Sequence, residues 1–334
     1  MYAQDKEFID NPVFIVGAAR SGTTLLQYML RSNPELSFPT AESHFIIPFH
    51  KFRNKFGDLS QQDNLIFLLE EIYKFRKPFF DDDVHGLDFN PAALAEEFHK
   101  AGIQNISGVI SAIFRKNAQG EGKKRWGDKT PYYVFHMETL LEMFPNAQFI
   151  HLIRDGRDCA LSMLERKWHL QIFNIYHTAC TWDRYVTAGK MFGDLFPEHY
   201  IELRYEDLLT HPEKSLKILC AFLNIEFSES VINYEKSDFP GKTPLIQEPL
   251  KKTNQGKWKQ QLSKRQISIF EAVAGDTLKE CNYEIYFPNT SINTASLFYY
   301  KLHIWLCQIK RKYFVKRSRP VRTTDSIKKL NKRS

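Results

Sequence analysis

The run Val13-Phe-Ile-Val-Gly17, followed at once by Ala18-Ala-Arg20-Ser21-Gly22-Thr23-Thr24, constrains the fold more than any other stretch of this 334-residue chain. Four apolar residues ending in glycine read as a short buried strand. From Thr23 to Asn33, Leu25, Leu26, Met29 and Leu30 recur at helical spacing, and Asn33-Pro34 stops the pattern. Strand, small-residue turn and helix in direct succession form a natural anion site, because backbone N–H groups and the positive end of the helix dipole converge on the turn.

The spacing from Gly17 to Gly22 matches the Gly-x-x-x-x-Gly-Lys-Ser/Thr loop of nucleoside triphosphatases, except that Thr23 stands where the lysine belongs. A triphosphatase uses that lysine on the β- and γ-phosphates and a neighbouring hydroxyl on magnesium. This loop offers amides, two threonine hydroxyls and the Arg20 guanidinium. Such a set suits a less charged terminal group and calls for no metal.

A second unit begins at Pro131. Tyr132 to Phe144 reads as helix, Pro145-Asn146 breaks it, Gln148 to Ile153 reads as a buried strand, and Cys159 to Lys167 as the next helix. Tyr200 to Leu203 is a third strand, with helices at Pro212 to Leu223 and Ser263 to Ala274, and Asn90-Pro91 opens another. Strands alternating with helices predict an α/β fold, a mainly parallel sheet flanked by helices in a single domain. The expected limits are a lead-in at 1–12, the domain at 13–288 and a basic helical appendage at 289–334.

Charge sharpens that division. The net charge is +7, yet residues 301–334 hold twelve Lys or Arg and one Asp, so the other 300 residues carry −4. A basic tail on a mildly acidic body argues against a nucleic-acid-binding domain. Five scattered cysteines form no Cys-x-x-Cys pair and suit a reducing compartment. The polar N-terminus shows no signal peptide, and no stretch is long and apolar enough to span a bilayer, so the expected location is cytoplasmic, with peripheral membrane contact through the tail. That contact is suggested by Phe298, Leu302, Trp305 and Ile309 on one helical face ahead of Lys310-Arg-Lys312. A helix docked on the domain is the competing expectation.

With these residues in place, Phe14-Ile-Val-Gly-Ala-Ala-Arg-Ser-Gly-Thr-Thr-Leu25 resembles the 5′-phosphosulfate loop of the P-loop sulfotransferases, nearest the bacterial-type and tyrosylprotein branches. The resemblance implies a donor, 3′-phosphoadenosine 5′-phosphosulfate (PAPS), and a product, adenosine 3′,5′-bisphosphate (PAP). It implies that Arg20, Ser21, Gly22, Thr23, Thr24 and Leu25 hold the 5′-phosphosulfate. His151-Leu-Ile-Arg154 through Ser162 is similar to the family's 3′-phosphate motif, which assigns Arg154 and Ser162 to that phosphate and adds Arg166 from the tyrosylprotein branch. On physics alone, Arg154 or Arg157 in a structural ion pair with a nearby Asp is an equal alternative. Trp126-Gly-Asp-Lys129-Thr-Pro131 resembles a loop that brings a lysine to the donor. Arg204-Tyr205 resembles the segment near the adenosine. Lys251-Lys252-Thr-Asn-Gln-Gly256-Lys257-Trp258 resembles the late basic loop, with Lys252 and Lys257 as its candidate 3′-phosphate ligands.

Sulfonyl transfer also needs a base for the acceptor's proton. Phe38-Pro-Thr-Ala-Glu42-Ser43-His44 resembles the Glu-Thr/Ser motif that supplies it in the tyrosylprotein branch, although its spacing from Arg20 is one residue longer here. Glu42 is the assigned base and His44 the competitor, with Lys129 and Arg20 stabilising transition-state charge. An ATP- and magnesium-dependent kinase is the first rival, disfavoured by Thr23, and a non-catalytic nucleotide-binding membrane adaptor is the second. The acceptor stays open among sugars, lipids, tyrosines and small alcohols. The aromatic-rich stretch from Phe45 to Trp126 is expected to shape its pocket, unless those rings are core.

Overall fold

The computed structural model describes residues 10–165, 172–234 and 253–314, with side chains described as far as Lys310. Five strands, β1 (Val13–Gly17), β2 (Leu36–Ser37), β3 (Arg125–Lys129), β4 (Gln148–Ile153) and β5 (Tyr200–Arg204), form one sheet in the order β2-β3-β1-β4-β5. Every pairing is parallel, with Ile15 opposite Lys129, Gly17 opposite Leu152, and Ile153 opposite Arg204.

The strands' alternation sorts the core into two faces. Phe14, Val16 and Phe149 enter one apolar cluster, while Val13, Ile15, Ile150 and Leu152 enter another with Leu26, Met29 and Leu216. A third cluster, around Trp182, Trp258 and Phe270, forms where helices Gly156–Glu165, Ile175–Leu195 and Lys264–Glu280 pack.

Several expectations need correction. Arg125–Lys129 is a buried strand, not a loop. Its polar residues hid it: Arg125 is buried, but its guanidinium donates to the carbonyls of Asn11 and Leu223 and to Gln148, so its burial leaves no donor stranded. The helix after β4 begins at Gly156, three residues before the expected Cys159. Tyr132 to Phe144 divides into a 3₁₀ turn, Pro131–His136, and a helix, Met137–Met143. The helix expected to end at Ala274 runs on to Glu280 through a kink at that residue. Phe45, Phe49, Phe79, Phe80, Phe114 and Trp126 are all core, so they do not line an acceptor pocket.

Candidate active site

The candidate residues gather at the carboxyl ends of parallel strands, where open α/β sheets bind ligands. β1 runs into the Ala18–Gly22 turn, β3 ends on Lys129, β4 delivers Arg154, and β5 delivers Tyr205. Glu42 follows β2 by five residues.

The turn after β1 is shaped for a close anion. Arg20 and Gly22 both have positive φ, 70° and 99°, which turns successive N–H groups toward one side. Helix α1 (Thr23–Arg31) has no capping side chain at Gly22 and no acidic residue in its first turn, so its leading N–H groups remain for a ligand. A Cβ at Gly22 would lie 2.5 Å from ring atoms of Tyr205, and only glycine lets that ring close over the turn. Among the described residues, the buried Ser21 Oγ finds no hydrogen-bond partner. A buried hydroxyl in that state fits a phosphate or sulfonate oxygen.

Beside the turn, Arg20 Nε donates to Ser162 Oγ at 2.9 Å. The sequence reading gave these two residues to opposite ends of the nucleotide, and the fold joins them. Arg154 donates to the carbonyls of Arg20 (3.2 Å) and Asn254 (3.0 Å), lies 4.6 Å over the Tyr205 ring, and stands 3.8 Å from Asp158. Its Nε is buried and unpartnered among the described residues, which again fits an anion. Asn254 closes the group by donating to the Tyr205 hydroxyl at 2.7 Å. Asp158 accepts from the N–H groups of Gly256 and Trp258 and so ties the late loop to the helix after β4. Arg157 is structural: it pairs with Asp155 and Glu271 and stacks on Trp258.

The second cluster centres on Glu42. Lys129 Nζ donates to its Oε1 at 2.9 Å, and His44 Nε2 pairs with its Oε2 at 2.8 Å. His44 reaches back because its backbone is left-handed, with φ 57°. Arg76 donates to the Glu42 carbonyl. Burial alone would raise the Glu42 carboxyl, but Lys129 and His44 outweigh it and hold it at about 2. The two candidate bases thus form one hydrogen-bonded pair. Beside it stand Tyr132, Phe135 and Tyr185 in edge contact, with Arg184 over the Phe135 ring. Burial, then Tyr132 and Glu42, push the Tyr185 hydroxyl up to about 12.

Beneath Lys129 lies Asp128, fully buried, whose Oδ1 accepts from the Ser43 N–H while Oδ2 has no partner among the described residues. Burial pushes its carboxyl up to about 6 from an ordinary 3.8. The folded chain therefore holds this proton more tightly than the unfolded one. The resulting stability is present below pH 3.8 and lost as pH rises through about 6, a change of about 3 kcal/mol. Glu42, held low, has the opposite dependence and loses its contribution only below its ordinary 4.5. Urea unfolding between about pH 4 and pH 6 covers the Asp128 decline. Because buried His151, held at about 3, titrates in the same window with the opposite sign, the readout is the change in slope that Asp128→Asn produces there. An unchanged slope would assign it to another group.

Arg166 and Lys252 lie outside the described residues. Lys257 stands half-exposed just before the helical turn Trp258–Gln261, and Thr24 and Leu25 are half-buried in the first turn of α1. Asn254, Arg76 and Tyr185 were missed by sequence reasoning. Asn254 was visible only as one residue of a lysine-rich loop, and the other two carried no local signal.

Residues 12–229 match the model of the sulfotransferase family. Among curated proteins, the chain is 26% identical over 227 residues to protein-tyrosine sulfotransferase 1 of Danio rerio, covering 67% of this chain and 56% of that one. It is 26% identical over 230 residues to protein-tyrosine sulfotransferase 2 of Gallus gallus, covering 67% and 54%. The chain thus spans about half the length of these curated relatives. Among solved structures, the sulfotransferase domain of the Synechococcus PCC 7002 olefin synthase aligns with a TM-score of 0.53 at 22% identity, over 81% of this chain and 96% of that one, a likeness of fold. Among the described residues no helix is long and apolar enough to cross a membrane.

Proposed function

Because the chain belongs to the sulfotransferase family, we propose that it transfers a sulfonate group from PAPS to an acceptor hydroxyl, with the phenol of a protein tyrosine as the first acceptor to test. The observation that carries the proposal is the Lys129–Glu42–His44 cluster beside an uncapped anion turn on the neighbouring strand. The presence of both Glu42 and Lys129 at that position argues for catalysis over nucleotide binding alone.

Bound PAPS would supply the sulfonate and leave as PAP. The turn amides, Ser21 and Arg20 would hold its 5′ end, and Arg154, Ser162 and the late loop its 3′-phosphate. Glu42 accepts the acceptor's proton, while Lys129 and Arg20 balance the charge left on the departing phosphate. As Lys129 turns to that charge, Glu42 loses its main lowering partner and burial raises its carboxyl, so the base strengthens when it is needed. A weak carboxylate base also favours a phenol, with its ordinary pKa of about 10, over the less acidic alcohol of a sugar. The relatives named protein-tyrosine sulfotransferases support the same acceptor, as do the aromatic side chains beside Glu42.

Radiolabelled PAPS incubated with a tyrosine peptide, a sugar and a lipid alcohol tests the reading. Label in the peptide is expected. Transfer from ATP with magnesium, and none from PAPS, would replace this proposal with the kinase.

A further inference from the structure

The helix Thr294–Phe314 is apolar on two faces where a helix docked on a domain needs one. One face is used. Tyr300 is buried and stacks on Tyr176, and Asn174 donates to the Tyr300 carbonyl at 3.2 Å and contacts His303. The other face stands in solvent, with Phe298 68%, Tyr299 59%, Trp305 56% and Leu306 50% exposed, and Leu302 beside them. Residues spaced like Phe298, Leu302 and Trp305 share one stripe. Exposed apolar patches of this kind mark a contact surface.

The chain that continues from this helix says what covers it. Residues 310–334 contain eleven Lys or Arg and one Asp, while residues 1–300 carry −4. The positive charge is thus concentrated where the apolar stripe ends. We propose that the helix lies flat on an anionic lipid surface, its Phe298–Leu302–Trp305 stripe buried at the headgroup boundary and the basic tail paired with acidic lipid. A nucleic acid would satisfy the cations but leave Phe298 and Trp305 in water. A lipid interface satisfies both. This inference stands apart from the proposed chemistry, since no residue of the helix belongs to the site.

Co-sedimentation of the full chain with phosphatidylcholine vesicles, with and without phosphatidylserine, tests it. Binding to the acidic vesicles, weakened by salt, is expected. Phe298→Glu combined with Trp305→Glu should lower the partition coefficient about tenfold or more, and so should truncation after Phe314. These positions face solvent, so the parent's melting temperature should be kept. Trp305 emission should shift to the blue on acidic vesicles, and the shift should vanish in Trp305→Phe. Equal binding by the parent and the double variant would overturn the proposal. So would a parent that ignores vesicles but is a dimer dissolved by the double variant, or one that binds only a DNA duplex.

Discussion

Glu42→Gln is expected to lower kcat by about two to four orders of magnitude, the scale of a lost general base, while the affinity for PAP stays within about twofold. Glutamine keeps an oxygen for the Lys129 hydrogen bond at 2.9 Å, so the change removes proton acceptance with little disturbance of packing. His44→Ala separates the two candidate bases. If the carboxylate is the base, the alanine variant loses a partner of Glu42 and retains much of its turnover. A dead His44→Ala with an active Glu42→Gln would move the role to the imidazole. The pH profile gives a second readout. With Lys129 in place the carboxyl is held at about 2, so the acid limb of kcat/KM for the free enzyme lies below the ordinary carboxylate range. Lys129→Ala should move that limb upward as well as slow the reaction.

Arg154→Ala is expected to weaken PAP about ten- to a hundredfold, the equivalent of one charge-assisted hydrogen bond of about 1.5–3 kcal/mol. Adenosine 5′-phosphate, which lacks the 3′-phosphate, should hardly change. The ratio of the two affinities within one variant is the quantity to measure, because Arg154 also braces the carbonyls of Arg20 and Asn254 and its loss lowers stability. Arg154→Lys keeps the charge but not the fork, and should recover only part of the ratio. In the parent, PAP should raise the melting temperature with chelator present, since amides and guanidinium groups hold it directly. A shift that requires magnesium, and appears with ATP alone, would contradict the assignment of Arg154 and of the turn.

What the sequence made legible follows from where its signals are local. β1 is a contiguous apolar run, β4 is one broken only by His151, β5 shows the shorter pattern Tyr-Ile-Glu-Leu, and the anion turn is announced by its glycines and by the helix after it. β2 is two residues long and β3 carries Arg125, Asp128 and Lys129, so neither shows a hydropathy signal. The burial of Arg125 in β3 depends on partners outside the strand, Asn11, Gln148 and Leu223. The Glu42–His44 pairing was equally hidden. Residues two apart share a face of a strand but stand about 7 Å apart along it, and on a helix they do not face each other; the left-handed backbone at His44 turns the imidazole back toward the carboxylate. Asn254 needed Arg154 and Tyr205 in place before it had anything to hold.

The site's bonds join residues at great separation: Arg20 to Ser162 across 142 positions, Arg154 to Asn254 across 100. Contacts of that order close late, after the loop entropy between them has been spent, and they make a parallel sheet a slow structure to build. A ribosome-bound chain therefore holds its first anion turn, complete in sequence, long before the residues that close it have left the tunnel. Competence arrives only once the late loop near Asn254 has emerged and docked. A single nick between Ser162 and Asn254 would divide the site between two fragments, and neither would inherit half of its affinity.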